Sequence, residues 1–232
     1  YGAIVAFDAA SFSSHDNLDA DYFDALFLSP HKLLGGVGSC GLLAIKKELV
    51  KSDKPTFAAG GTVSYVSRSS HFFAPSVERM EEGGTQHVMG LIRAALAYRL
   101  RNEVGLDVIK SREYELARLF CEGLDKIPEV VSYFPRAVPR LPIFAFNVKG
   151  VSPYDFAEAL SEDYGVQTRA GCACAGPYGH DLLGLKDDQK FDQKPGWVRV
   201  SLHYSHTPKD VAYLLKAIKK TIKKFKTKKE KK

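Results

Sequence analysis

Lys32 stands between an apolar run and a chain of glycines, in Ser29-Pro30-His31-Lys32-Leu33-Leu34-Gly35-Gly36-Val37-Gly38-Ser39-Cys40-Gly41. An amine on a loop with an apolar floor and no carboxylate close by in sequence sheds its proton readily and is then a competent Schiff-base former. The alternative is a solvated loop lysine. Upstream, Ala3-Ile4-Val5-Ala6-Phe7 runs into Asp8, which delivers a carboxylate to the C-terminal end of a strand, where open α/β sheets place their ligands. Arg199 lies in the alternating stretch Trp197-Val198-Arg199-Val200-Ser201-Leu202. Its guanidinium is either a bidentate partner for a carboxylate or a solvent-face residue of an antiparallel sheet. Cys172-Ala173-Cys174 falls between Gly171 and Gly176-Pro177, a tight exposed loop that suits a thiol meant to react as thiolate.

The elements that must hold these residues follow from periodicity. Ala25 to Leu28 and Gly41 to Ile45 read as short buried strands on either side of the lysine loop. Lys54 to Val63 contains a Gly60-Gly61-Thr62 turn, whose free amides suit an anion but which alone is only a turn. From Val88, the spacing of Val88, Leu91, Ile92, Ala95 and Leu96 predicts a long helix packed on the sheet through that stripe, with Thr85 as its cap. A second helix is expected over 108–124, with Cys121 as a buried filler. Strands are expected over 130–134, 143–148, 165–169 and 197–202. Ser152 with Pro153 opens a helix to Leu160, and an amphipathic helix carrying Val211, Leu214, Leu215, Ile218, Ile222 and Phe225 closes the chain. Gly105 divides the chain, giving expected domains over 1–105 and 106–226 and a Lys-rich tail over 227–232.

At 232 residues with 45% hydrophobic content, there is enough apolar material for one large or two modest cores. No apolar run reaches membrane-spanning length and no secretory leader pattern is present, which argues against a membrane role. Ten lysines and one glutamate between Lys216 and Lys232 account for the net charge of +6, so basicity belongs to the C-terminal segment. With only Phe225 among those lysines, nucleic-acid binding by stacking is disfavoured against a solvated, fraying helix end. Four cysteines, Cys40, Cys121, Cys172 and Cys174, are too few and scattered for a disulfide framework, which points to a reducing, cytoplasmic setting. Without an accompanying His pair they make zinc a weak alternative, and no metal is expected. Tyr1 in place of Met, opening almost directly into a strand, leads to the expectation that the chain is a piece of something longer.

Asp8, the Ser29-Pro30-His31-Lys32 loop, Gly60-Gly61-Thr62 and Arg169-Ala170-Gly171-Cys172-Ala173-Cys174-Ala175, in that order, resemble the class V aminotransferase group of fold-type I pyridoxal-phosphate enzymes, and within it the cysteine desulfurases and selenocysteine lyases. The resemblance covers about Gly2 to Phe225. It implies an α/β fold made of the C-terminal half of the fold-type I large domain followed by a small α/β domain, with the family's N-terminal part lacking. It implies pyridoxal 5'-phosphate as cofactor, with Asp8 on the pyridine nitrogen, Lys32 as the Schiff-base lysine, Ser29 and His31 at the phosphate, and Thr62 reaching the phosphate of the other subunit in a homodimer. Arg199 would take the substrate α-carboxylate with help from Arg169, and Cys174 would accept sulfur from cysteine, leaving alanine and an enzyme persulfide for a sulfur-acceptor protein. Ser11 stands where desulfurases commonly carry Gln, and Gly176-Pro177-Tyr178-Gly179-His180 suggests a distinct branch. An aminotransferase or epimerase on the same scaffold, with Cys174 incidental, is the runner-up, followed by a non-catalytic fragment that binds a partner.

Overall fold

The computed structural model describes residues 2–136, 139–172, 175–186 and 194–230, with side chains described as far as Thr227. The chain divides into two compact units, Tyr1–Leu106 and Asp107–Lys232.

The first unit is built on a three-stranded sheet. β1 (Ala6–Asp8) runs parallel to β2 (Ala25–Leu28), which pairs antiparallel with β3 (Leu42–Ile45). The turn into β2 is tied by Asp24, whose carboxylate accepts from the Val5 N–H and from Lys46 Nζ, both at 2.8 Å. The lysine's donation holds the Asp24 carboxyl below its ordinary range and raises Lys46 in return. β4 (Val63–Val66) and β5 (His71–Phe73) form an antiparallel ribbon with a bulge between Val63 and Tyr65. A short α1 (Val77–Glu81) follows, capped by Ser76 Oγ, which accepts from the Arg79 N–H.

α2 (Val88–Val104) overturns two expectations. Its N-cap residue is His87, so Thr85 does not cap it. Its buried positions are Gly90, Ala94, Ala97 and Arg101, whereas Val88, Leu91, Ile92, Ala95 and Leu96 are exposed. The helix is apolar around most of its circumference, so periodicity could not choose a face. The other face carries small residues, and at Gly90 the space is taken by the ring of the helix's own N-cap residue: a Cβ there would lie 2.2 Å from His87.

α3 (Leu106–Leu124) follows Gly105, whose φ of +88° breaks the helical path after α2. The second unit has a four-stranded sheet in the order β6-β7-β9-β8, with β6 (Val130–Ser132), β7 (Ile143–Val148), β8 (Arg169–Gly171) and β9 (Trp197–Ser201) paired antiparallel throughout. Phe144, Phe146, Val148, Val198 and Val200 alternate onto one face and are buried. Against them pack Leu116, Phe120 and Leu124 of α3, Phe156 and Leu160 of α4 (Pro153–Tyr164), and Val211, Ile218 and Ile222 of α6 (Pro208–Glu230). Cys121 is half-buried against the same cluster.

α4 begins as its sequence signals require, with Ser152 Oγ accepting from the Tyr154 N–H and Pro153 in the first turn. It runs on to Tyr164 and ends in a left-handed Gly165 at φ +65°. That turn consumes residues expected to be extended and moves β8 downstream to Arg169. α5 (Gly176–Leu183) then packs Gly179 on the Trp197 ring, which a Cβ would meet at 3.2 Å.

Candidate functional site

Because β1 and β2 run parallel, their C-terminal ends share one sheet edge. Asp8 ends β1 there, and Ser29 follows β2 at the same edge. Asp8 Oδ1 accepts from the Ala10 N–H at 2.9 Å, a side-chain turn that fixes an exposed carboxylate in place. Past half-buried Ser29, the chain makes a 3-10 turn over Pro30–Lys32, closed by the Lys32 N–H on the Ser29 carbonyl at 3.0 Å. Leu33, 5% exposed, takes the inward position of this turn. His31 and Lys32 are left outside, and Lys32 Nζ donates to Ser11 Oγ at 3.1 Å. The apolar floor expected under Lys32 lies under Leu33 instead, and the amine is exposed and held by a hydroxyl.

The glycines after Lys32 have distinct duties. Gly35 and Gly38 take φ of +80°, and a Cβ on Gly36 would stand 1.9 Å from the Pro30 carbonyl oxygen. Two α2 side chains brace this loop: Arg93 Nη1 donates to the Val37 carbonyl at 3.0 Å, and His87 Nε2 lies 3.3 Å from the Gly38 carbonyl. Further along α2, Arg101 braces the loop that follows Asp8. Its guanidinium, 8% exposed as a residue, donates to the carbonyls of Ser13 and Asp16 and to Asn17 Oδ1, while Tyr98 Oη donates to Ser13 Oγ at 3.1 Å. One helix thus holds both the Asp8 loop and the Lys32 loop.

Thr62 is 1% exposed, and its hydroxyl donates to the Ala59 carbonyl at 2.7 Å, while Gly60 and Gly61 beside it are exposed. Its side chain therefore serves its own turn in this chain.

In the second unit, Arg169 and Arg199 occupy opposed positions of the β8–β9 pair, on the sheet face opposite the Val198 and Val200 side chains. Arg199 is half-buried and Arg169 exposed. Side chains at directly opposed positions are neighbours, so the two arginines leave the same sheet face at one rung, and a guanidinium is a side chain suited to a bidentate anion. β8 ends at Gly171, with φ +111°, beside the Tyr154 hydroxyl. Gly196 is pressed against this bend: a Cβ there would fall 2.5 Å from Gly171 Cα and 2.6 Å from the Cys172 nitrogen. Asn147, in the middle of apolar β7, donates from Nδ2 to the Gly196 carbonyl at 2.9 Å. Cys172, a half-buried free thiol, therefore leaves the sheet on a path set by two glycines and an asparagine, and its carbonyl accepts from Ala175 N–H at 3.0 Å. Cys174 lies outside the described residues.

His87, Arg93, Arg101, Asn147 and Gly196 carry none of the sequence signals used above. Arg101 and Asn147 were detectable as polar residues within apolar-periodic segments, a pattern that marks a buried hydrogen-bonding duty. Gly196 has no such sign, because its requirement comes from a chain segment 25 residues earlier. Among the described residues no group of three or more His, Cys, Asp and Glu side chains could hold a metal ion, and no helix is long and apolar enough to cross a membrane.

The class-V aminotransferase family model matches residues 1–214. Probable cysteine desulfurases of Staphylococcus aureus (strain COL) and Pyrococcus abyssi are each 31% identical to this chain, over 95% and 96% of it, and over 51% and 53% of their own lengths. The apo structure of cysteine desulfurase from Thermococcus onnurineus NA1 superposes with a TM-score of 0.82 at 31% identity, covering 96% of this chain and 53% of that one. The S-sulfonic acid form of the cysteine desulfurase CsdA from Escherichia coli gives the same TM-score at 28% identity. The chain spans about half the length of the curated relatives it matches.

Proposed function

The chain belongs to the class-V aminotransferase family, with about half of a fold-type I enzyme's architecture, and we propose that its parent activity is pyridoxal-phosphate-dependent removal of sulfur from cysteine. The observation that carries this reading is the exposed Lys32 amine, 3.1 Å from Ser11 Oγ, on the loop next to the Asp8 carboxylate at one parallel-strand edge. This donor set fits the cofactor: a carboxylate suits a protonated ring nitrogen, a primary amine suits an aldehyde, and the Ser29 hydroxyl and His31 imidazole suit a phosphate. When bound, pyridoxal phosphate supplies an electron sink for a negative charge at the substrate α-carbon.

In this reading Asp8 keeps the proton on the ring nitrogen. Lys32 Nζ moves the substrate's α-proton, and Ser11 Oγ, which accepts from that amine, orients it. Arg199 and Arg169 grip the α-carboxylate through the paired guanidiniums. The Cys174 thiolate attacks the substrate sulfur; the carbon–sulfur bond breaks with its electron pair left on carbon, and a proton completes alanine. Sulfur remains on the enzyme as a persulfide and passes to an acceptor thiol, which requires a reducing compartment such as the cytoplasm. In a homodimer the exposed amides of Gly60 and Gly61 offer the other subunit's phosphate a ready anion site, whereas Thr62 joins them only by releasing Ala59.

The test is an absorbance spectrum of the chain with pyridoxal phosphate, wild type against Lys32→Ala, followed by an assay with cysteine. A band near roughly 410–430 nm that the variant loses supports the role of Lys32, and one persulfide per alanine supports desulfuration. Alanine turnover without persulfide would favour the aminotransferase or epimerase reading, and no band in either protein would overturn the assignment for this chain.

A further inference from the structure

The C-terminal lysines form a groove as well as a charged surface. Lys219, Lys223 and Lys226 recur on one side of α6, and Lys126 stands across from them in the turn after α3, around a groove of about 400 Å³. The floor is apolar, made by Ile127 and Ile222, each 5% exposed. One carboxylate already sits on the rim: Glu129 accepts from Lys226 Nζ, which holds its carboxyl below the ordinary range. Lys224, outside the groove, pairs with Asp163. Among the described residues Lys126, Lys219 and Lys223 face no carboxylate at ion-pair distance.

We propose that the groove between α6 and the Lys126–Glu129 turn docks an acidic helical segment of a partner protein. The three α6 lysines stand about 6 Å and then about 4.5 Å apart along the axis, at 1.5 Å per residue. Carboxylates at i, i+4 and i+7 of a facing helix have the same spacing, and apolar side chains between them meet the Ile127–Ile222 floor. Lys226 is already paired with Glu129, so the third carboxylate of the facing helix takes the place of Glu129 on that amine. A nucleic-acid strand fits less well, since the groove has no aromatic side chain for a base to stack on. A membrane surface fits less well too, because the apolar face of α6 is already spent in the core through Val211, Ile218 and Ile222. This surface is independent of the proposed reaction.

The experiment measures fluorescence anisotropy of the 232-residue chain with a fluorescein-labelled alanine-rich peptide carrying Glu at i, i+4 and i+7 and Leu at i+3. A labelled oligothymidylate and phosphatidylserine vesicles serve as competing probes. The Lys219→Glu/Lys223→Glu variant is expected to weaken peptide binding by roughly tenfold or more. The Lys216→Glu/Lys220→Glu variant, with the same change of net charge outside the groove, is expected to stay within about twofold. A Lys219→Ala/Lys223→Ala variant with unchanged circular dichroism separates a binding loss from a folding loss. Equal losses in both charge-reversed variants, tighter binding of oligothymidylate or vesicles that is lost in the groove variant, or no peptide binding would each overturn the proposal.

Discussion

Arg169 and Arg199 face one another across the β8–β9 pair, two guanidinium side chains at a single rung of the sheet. Side chains at opposed positions on one sheet face are neighbours, and a guanidinium is a bidentate partner for a carboxylate. The rung is therefore suited to a ligand carboxylate, and the two positions are expected to respond unequally. Arg199→Gln, at the half-buried position, is expected to raise KM for an amino-acid substrate by roughly 10- to 100-fold, and Arg199→Lys to recover only part of it, because an ammonium cannot make the bidentate fork. Arg169→Gln, at the exposed position, is expected to have the smaller effect. Steady-state kinetics on the three variants decides; equal KM values throughout would remove the rung from substrate binding.

Arg101 is a buried cation of the first unit, and its bonds to Ser13, Asp16 and Asn17 tie α2 to the loop after Asp8. Arg101→Met keeps the aliphatic volume but leaves those oxygens without their donor, at an expected cost of about 2–3 kcal/mol. Denaturant unfolding gives the magnitude. Hydrogen exchange over residues 8–17 is expected to rise before exchange in the second unit does.

Gly196 has no room for a side chain: its Cβ would lie 2.2 Å from the Gly171 carbonyl carbon, a backbone atom that cannot swing aside. Gly196→Ala is expected to destabilise the second unit by roughly 2–4 kcal/mol and to change the rate at which a thiol reagent labels Cys172. Gly176→Ala, where no described residue lies within 4 Å of the added carbon, is the control and is expected to leave both readouts near wild type.

Glu78 accepts from Ser76 Oγ and pairs with Lys47, and these bonds bring its carboxyl down from 4.5 to about 2. A carboxyl lowered on folding stabilises the folded state above its unfolded pKa and loses that contribution as pH falls toward the folded value. Unfolding midpoints are therefore expected to drop between pH 4.5 and about 2, and the drop is expected to be shallower in Glu78→Gln. The side chain is solvent-exposed, so the difference is expected to be small and to shrink in high salt. Identical acid limbs in the two proteins would refute the assignment.

Where local physics is strong, sequence and structure agree closely. Ala25–Leu28 and Ile143–Val148 are the observed β2 and β7, residue for residue. Ser152 and Pro153 start α4 as their capping chemistry requires. Agreement fails where two local solutions cost about the same. The apolar circumference of α2 offered several faces, and the buried one was settled by Arg101 reaching loop carbonyls and by the small side chains of Gly90, Ala94 and Ala97. Lys32 and Leu33 differ by one step of a 3-10 turn, and only the folded loop shows that the leucine turns inward.

The sequence by itself determined the types of the longer elements, the family, and the order of Asp8, Lys32, Arg169 and Arg199 along the chain, because periodicity, caps and motif spacing are local properties. Tertiary structure alone decided that Asp8 and Lys32 share a strand edge with Ser11 on the amine, that two arginines meet on one rung, and that Gly196 and Asn147 shape the exit of the cysteine loop. Each of these joins segments tens of residues apart, and their meeting depends on strand register and close backbone approach, which the packing of the whole unit selects.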